Sequence, residues 1–439
     1  MMGACAHPLT QVGPEDIPEL EARAEASPDD LEVRTQLGVA YYEDGRYLEA
    51  RDILGRVVED GSTEGAAFLY LGLANEELED WAGAREAYSG YLEVGRYDRL
   101  RGELQSRLQL IIRNEIEAEV RAALDQEAEL MDTPPEPRTV AVFPFRLVAD
   151  REDLEPLQVA MADMVITDLA SVGAVMVLER SRIQSLVNEM ALTEAGYTEP
   201  ETGARAGRLL RAEHVVQGAL TPVTDELLRF DADVVRTEGE TSVGTPSGED
   251  DLEALFDLEK EIVFGILDAL GVEPTDAERQ AILDNRTESL EAFLAYGRGL
   301  QAMDRGSFQE ASQFFREAAT LDPTFQRAEE HAQESEELQS AQQASTADVA
   351  AAGEAEFSGV SGVDTEALEA TQDLLEMTGD ELSPSPASGT LGGGSGGGTG
   401  EGAGEKETQR QERGGGDNVT EGRTTTIRIQ IPRPGGGGL

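Results

Sequence analysis

One cysteine, one tryptophan, three histidines and two lysines are all the chain holds of those types in 439 residues. The lone Cys5 excludes an intramolecular disulfide framework, and no Cys/His group has metal-ligand spacing. His7, His214 and His331 are too scattered to support a histidine metal site or a Ser/His/Asp triad. Basic residues are scarce, 35 against 88 acidic ones, for a formal net charge of -53. Such a surface repels phosphate backbones and anionic membranes, so no nucleic-acid partner is expected. Only Lys260 and Lys406 are lysines; the other basic residues are arginines. The acid excess is spread over every segment. It fits either adaptation to high salt, where self-repulsion is screened, or simply a soluble acidic surface. No run approaches the roughly 18 apolar residues of a membrane helix, and the apolar region of a signal peptide is missing as the chain is written. Catalytic signatures are absent too. There is no His-Glu-x-x-His and no nucleophile elbow of the Gly-x-Ser-x-Gly type. LGGGSGGGTGEGAGEKE (391–407) fails as a phosphate loop, because Glu405 separates Gly404 from Lys406 and no Ser or Thr follows the lysine. About one residue in five is Asp or Glu, so a carboxylate pair is no sign of acid/base chemistry. The expectation is a protein that is not an enzyme and needs no cofactor or metal.

What is present begins with a repeat. LEVRTQLGVAYYEDGRYLEARDILGRVVE (31–59) aligns with GAAFLYLGLANEELEDWAGAREAYSGYLE (65–93) at a constant offset of 34. Leu37-Gly38 falls on Leu71-Gly72, Tyr47 on Trp81, Ala50 on Ala84, Leu54 on Tyr88 and Val57 on Tyr91. This resembles the tetratricopeptide (TPR) repeat, a helix–turn–helix unit with small residues where its helices cross. A further unit occurs at 290–325, where Gly299, Phe308, Ala311, Phe315, Ala318 and Pro323 complete the pattern. The resemblance implies a protein-binding scaffold. Its groove would be lined by Glu32, Thr35, Val39 and Tyr42, then Ala66, Leu69, Leu73 and Glu76, with no Lys or Arg to hold a peptide carboxylate. Alternatively, the array only packs against its neighbouring domain. A long helical stretch, 98–131, follows and is stopped by Thr133-Pro134-Pro135.

Between 138 and 272 the period changes. TVAVFPF (139–145), AVMVLE (174–179) and HVVQGALT (214–221) read as strands; 157–172, 180–190 and 204–212 carry helical apolar spacing. LLRFDADVVRT (227–237) alternates as a half-exposed strand, TSVGTP (241–246) is its expected partner, and 251–270 is an amphipathic helix. The series VAVFPF, ADMVITDL, VMVLERSRIQSLVNEM and ARAGRLLRAEHVVQGAL resembles the CsgG family of curli secretion components, with the N-terminal domain of TolB and LpoB among its periplasmic relatives. Pro144, Phe145, Glu179, Arg180, Ser181 and Gly218 stand at the family's motif positions, and none is a catalytic signature. A curli pore carries two membrane hairpins. Here there is room for one, at 226–247, and its polar positions hold Arg229, Asp231, Asp233, Arg236, Glu238 and Glu240. It reads as soluble sheet.

The expected fold class is therefore α+β and multidomain. It comprises an anchor segment 1–15, a TPR-like helical domain 16–131, a CsgG-like α/β domain 138–272, a TPR-like segment 285–343 and a disordered Gly-rich tail 346–439. His331, in the charged run 327–343, reads as solvated, and His214 as a hydrogen-bonded strand histidine. In RTTTIRIQIPRP (423–434), Ile427, Ile429 and Ile431 share a face that could add a strand to a sheet edge; a disordered tail is the default. Met2-Gly3-Ala4-Cys5 fits a lipobox, which implies lipidation at Cys5 and a true start upstream of a truncated signal peptide. The function expected is an outer-membrane-anchored periplasmic accessory of assembly or secretion. Its partners would be envelope proteins, with a homo-oligomer open. The alternatives are a cytosolic TPR scaffold with a regulatory α/β module, and an oligomeric channel subunit.

Overall fold

Small residues at the repeat positions let paired helices cross closely, and the computed structural model shows where. It describes residues 12–94, 98–190, 200–285, 287 and 289–357. After α1 (Ile17–Ala26), the first unit is α2 (Leu31–Glu43) and α3 (Tyr47–Glu59), the second α4 (Gly65–Glu77) and α5 (Trp81–Val94). In each, the glycine of the first helix abuts a large side chain sixteen residues on: Gly38 meets Leu54, and Gly72 meets Tyr88. A Cβ at either glycine would overlap its neighbour. The turns of the two units need a left-handed residue. Gly45 supplies it at φ +72°, and Glu79, at the equivalent position, is held at φ +56°.

The helical stretch that follows divides into α6 (Asp98–Asp125) and the short α7 (Glu127–Met131). Leu100, Leu104, Arg107, Ile111, Ile116 and Val120 form its buried stripe. At about 1.5 Å per residue α6 is long enough to touch several partners in turn. It packs against α5 on one side and against α9 and α15 further along.

The α/β domain is built on one mixed sheet of seven short strands. These are β1 (Glu136–Val142), β2 (Arg146–Leu147), β3 (Met176–Val177), β4 (Ala212–Pro222), β5 (Leu227–Arg236), β6 (Thr241–Gly244) and β7 (Ser247–Asp251), with spatial order β3-β1-β4-β5-β6. β1 and β2 pair in parallel with successive stretches of β4, so they are one strand position interrupted at Phe143-Pro144-Phe145. β6 and β7 likewise follow one another along β5, interrupted at Pro246. The helices are α8 (Leu157–Ala170), α9 (Arg180–Glu189), α10 (Pro200–Leu209) and α11 (Leu255–Ala269). Val140, Val142, Val216, Leu220, Leu228, Phe230, Ala232 and Val234 join one core with α8 and α11. Val215, on the opposite face of β4, lies against Gly207 of α10. The hairpin of β5 and β6 is thus part of the sheet. The face a membrane hairpin would turn to lipid is packed under α11. No helix among the described residues is long and apolar enough to cross a membrane.

After α12 (Asp276–Asp284) comes the third TPR unit, α13 (Leu290–Asp304) and α14 (Phe308–Leu321), again with its glycine, Gly299, against a side chain sixteen residues on, Phe315. Its core is continuous with that of the α/β domain. Gly297 of α13 sits so close to Pro156, at the start of α8, that a Cβ would strike the Pro156 backbone. The polar helix is α15 (Gln326–Gln343). His331 is not solvated there. Its ring stacks on Phe315 at 5.2 Å between centroids, and its Nδ1 lies 2.8 Å from Glu334 Oε2.

One expectation changes at residue 346. A further helix, α16 (Thr346–Phe357), stands where the structureless tail was expected to begin, and it buries Val349 and Ala350 in the core of the N-terminal repeats. Its apolar content was too alanine- and glycine-rich to register as an amphipathic stripe. The remaining tail, including 391–407 and 423–434, lies outside the described residues.

Candidate functional site

The first helices of the repeats, where the TPR pattern would place a groove, are packed over by a later part of the chain. α16 runs antiparallel along α4. Thr346 hydrogen-bonds Glu77 at the end of α4, Gly353 meets Leu69 at its middle, and the Phe357 ring approaches Gly65 at its start. A Cβ at Gly353 would overlap Leu69, so the crossing requires glycine. Of the expected groove residues, Thr35, Val39, Tyr42, Ala66, Leu69 and Leu73 are buried, Glu76 is largely covered, and Glu32 is exposed.

A cation does reach this groove, from a helix the repeat pattern did not include. Arg107 of α6, 5% exposed, forks onto the Glu76 carboxylate, with Nε 3.0 Å from Oε2. Its remaining Nη1 donates to the carbonyls of Ala341 and Ala344, at the junction of α15 and α16. Tyr88 donates to Glu76 as well, at 2.9 Å. The sequence signal for Arg107 was present as a basic residue at an apolar position of the α6 stripe, between Leu104 and Ile111. At the rim, partial desolvation and the nearby Glu354 carboxylate of α16 push the Glu43 carboxyl above its ordinary range.

The family-motif residues serve different ends. Pro144 and Phe145 break the β1/β2 strand and drive the Phe145 ring into the core, edge-on to Phe230 at 4.7 Å. Gly218 is opposed by the backbone of β5, and a Cβ there would strike the Asp231 carbonyl. Glu179 stands at the residue before α9 without a capping bond from its side chain, and Arg180 and Ser181 open the helix. Arg180 reaches out of the α/β domain to Asp304 at the end of α13, at 2.6 Å, and lies 3.5 Å from Asp163 of α8. Asp163 also accepts from Arg327 of α15 at 2.6 Å and from the Tyr296 hydroxyl at 2.7 Å. Burial pushes the Asp163 carboxyl up, but the charges of Arg327, His331 and Arg180 and the Tyr296 bond outweigh it and hold the carboxyl below its usual range. The network fastens the third TPR unit to the α/β domain. A crevice between Pro144 and Arg180, walled by Val142, Val159, Ala162, Ile183 and Gln184, is too narrow even for water.

A second buried cluster uses one of the two lysines. Lys260 Nζ of α11 lies 2.6 Å from Asp168 Oδ2, 2.9 Å from Glu259 Oε2 and 2.6 Å from the Asn285 carbonyl. Glu259 is 0% exposed; burial first, and then Asp168, push its carboxyl from 4.5 up to about 8. Burial raises Asp168 as well. Near neutrality the raised Glu259 carboxyl keeps its proton beside the Lys260–Asp168 pair. These acids lie on α8 and α11, which are enclosed between the sheet and the third TPR unit. Sequence alone showed them only as polar interruptions of amphipathic helices. Among the described residues no group of three or more His, Cys, Asp or Glu side chains is placed to hold a metal ion. Cys5 lies outside the described residues.

The family described as curli production assembly/transport component CsgG matches residues 122–230, about a quarter of the chain, from the C-terminal part of α6 into β5. Among solved structures, the chain is similar to the C-terminal domain of LpoB from Salmonella enterica, at 11% identity and a TM-score of 0.20. That match covers 29% of this chain and 93% of the other. It is also similar to the TPR2AB domain of yeast Sti1 in a complex with pHSP90, at 13% identity and a TM-score of 0.23, covering 75% of this chain and 92% of that one. No curated protein matches the chain.

Proposed function

We propose that this protein is a non-enzymatic accessory of envelope assembly or secretion, of the CsgG type. It is held at the periplasmic face of the outer membrane by a lipid on Cys5 and binds protein partners through its TPR helices and its α/β domain. The observation that carries the reading is the coincidence of the CsgG match at 122–230 with the β1–β5 part of the sheet, in a chain whose flanking helices are TPR pairs. The buried charges support it in a second way. Arg180, Asp163, Asp168, Glu259 and Lys260 are each bound to one another or to neighbouring helices, which suits a rigid platform.

Expressed from its native locus, the protein is expected in the outer-membrane fraction. Globomycin should block its maturation, and Cys5→Ser should release it in soluble form. A protein that stays cytoplasmic, with neither treatment changing its mass or location, would overturn the reading in favour of a cytosolic scaffold.

A further inference from the structure

The face of the sheet that does not carry the α8–α11 core is covered unevenly. Val215 lies under α10, at Gly207, but the other end of that face is open. Leu147 pairs with Leu220 and both are buried in the core, so their neighbours Arg146 and Val148, and Ala219 and Thr221, turn to the outer face. The alternation continues to Val223, whose N–H bonds the Leu227 carbonyl at 2.8 Å. Val148 is 41% exposed and Val223 49%. They are two of the five exposed large apolar side chains among the described residues, and the pairing of β2 with β4 brings them to one spot. Beside them Arg146 is half-buried and makes no ion pair among the described residues, and its Nε is buried without a hydrogen-bond partner. The other arginines of this end are committed. Arg151 lies 2.7 Å from Asp153 and 3.6 Å from Asp225 of the β4–β5 turn, and Arg229 lies 2.8 Å from Asp231. In a chain with 88 acidic residues, the Arg146 guanidinium thus stands next to exposed valines with no carboxylate of its own.

We propose that this end of the sheet face docks a short acidic–aliphatic segment of a partner protein, its carboxylate on Arg146 and its aliphatic side chains on Val148 and Val223. The proposal rests on the reading of the α/β domain as a protein-binding module, and it names the surface and the chemistry of what binds there. An arginine takes a carboxylate through two parallel hydrogen bonds, which uses the donors that Arg146 leaves free. Residues two apart on a strand point to the same side, so an extended segment along β2 needs its acid and its first aliphatic residue at that same spacing. The patch is small, which suits a short segment and a weak, reversible contact rather than a broad interface. Charge makes the preference diagnostic. The rest of the surface attracts basic ligands and repels acidic ones, so an acidic segment that binds is held by a local cation and not by the overall field.

The probe is the blocked peptide acetyl-Ser-Glu-Ser-Val-Ser-Val-amide, titrated into the full chain at low salt while the valine methyl signals are followed by NMR. The signals of Val148 and Val223 are expected to shift and saturate, and those of the buried valines to stay in place. Arg146→Gln should weaken the binding at least tenfold, and Arg146→Lys should restore part of it. The same peptide with lysine in place of glutamate is expected to leave Val148 and Val223 unshifted, whatever it does elsewhere on the acidic surface. Unchanged buried-valine signals in the variants show that each keeps its fold. No shift at Val148 and Val223, equal affinity in Arg146→Gln, or the same response to both peptides would overturn the proposal. Light scattering adds one further outcome: self-association that disappears with Arg146→Gln, without peptide binding, would assign the face to a second copy of the chain and overturn the proposal as well. The titration uses no envelope protein, so its failure leaves the accessory role standing. A cytoplasmic location in the fractionation test would in turn leave the chemistry of this face untouched.

Discussion

At the scale of single residues, the chain keeps two buried acids in opposite states. Asp163 is held ionised by Arg327, His331 and Arg180, and Glu259 is held neutral by burial and by Asp168. The signs give opposite pH dependences. A depressed carboxyl such as Asp163 stabilises the fold above its ordinary range, and that stability fades as pH falls through its lowered value. A raised carboxyl contributes fully below its ordinary value, and for Glu259 the contribution is lost as pH rises through about 8. Glu259→Gln preserves shape and removes the ionisation. Relative to the unaltered protein, its Tm is expected to gain steadily as pH rises from about 4.5 to about 8 and to hold that gain above; parallel curves from scanning calorimetry would contradict the assignment. None of this chemistry was legible from sequence. In a chain this acidic, the position of Asp168 gives no hint that Glu259 and Lys260, about ninety residues away, will be folded against it. The family-motif arginine, Arg180, could be located by its motif, but not its partner Asp304, because that contact joins two domains.

At the scale of elements, the repeats were the most readable part, because a 34-residue offset fixes several packing positions at once. Gly38, Gly72 and Gly299 each meet the residue sixteen positions on, as the pattern requires. The units differ at their turn, where Gly45 and Gly306 are left-handed and the second unit places Glu79 there at φ +56°. A left-handed backbone costs a non-glycine residue roughly 1–2 kcal/mol, part of which glycine gives back as unfolded-state entropy. Glu79→Gly is therefore expected to stabilise the protein by about 0.5–1 kcal/mol in urea denaturation, and Gly45→Glu to destabilise it; a neutral or unfavourable Glu79→Gly would refute the strain. The element that escaped the sequence reading was α16. Alanine and glycine are good contacts only where another helix comes close, and that closeness is supplied by α4, about 280 residues earlier in the chain.

At the scale of the whole described chain, residues 138–272 and 285–343 look separable in sequence but share one core, while 16–131 keeps its own and is joined to them through helix contacts. The third TPR unit is continuous with the α/β core, α6 runs beside α9 and α15, and α15 and α16 return the chain to the first repeats. This closure explains why seven of the eight expected groove residues are covered, and why the groove's cation comes from α6. The account's central claim is that this groove receives protein partners at the cell envelope. It is tested most directly by a photo-reactive residue placed at Glu32, the exposed groove position, in the protein expressed from its native locus, with cross-linked products identified by mass spectrometry. The account predicts cross-links to envelope proteins that disappear when Leu69→Asp is added. The same products with and without Leu69→Asp, or cross-links confined to cytoplasmic proteins, would contradict it.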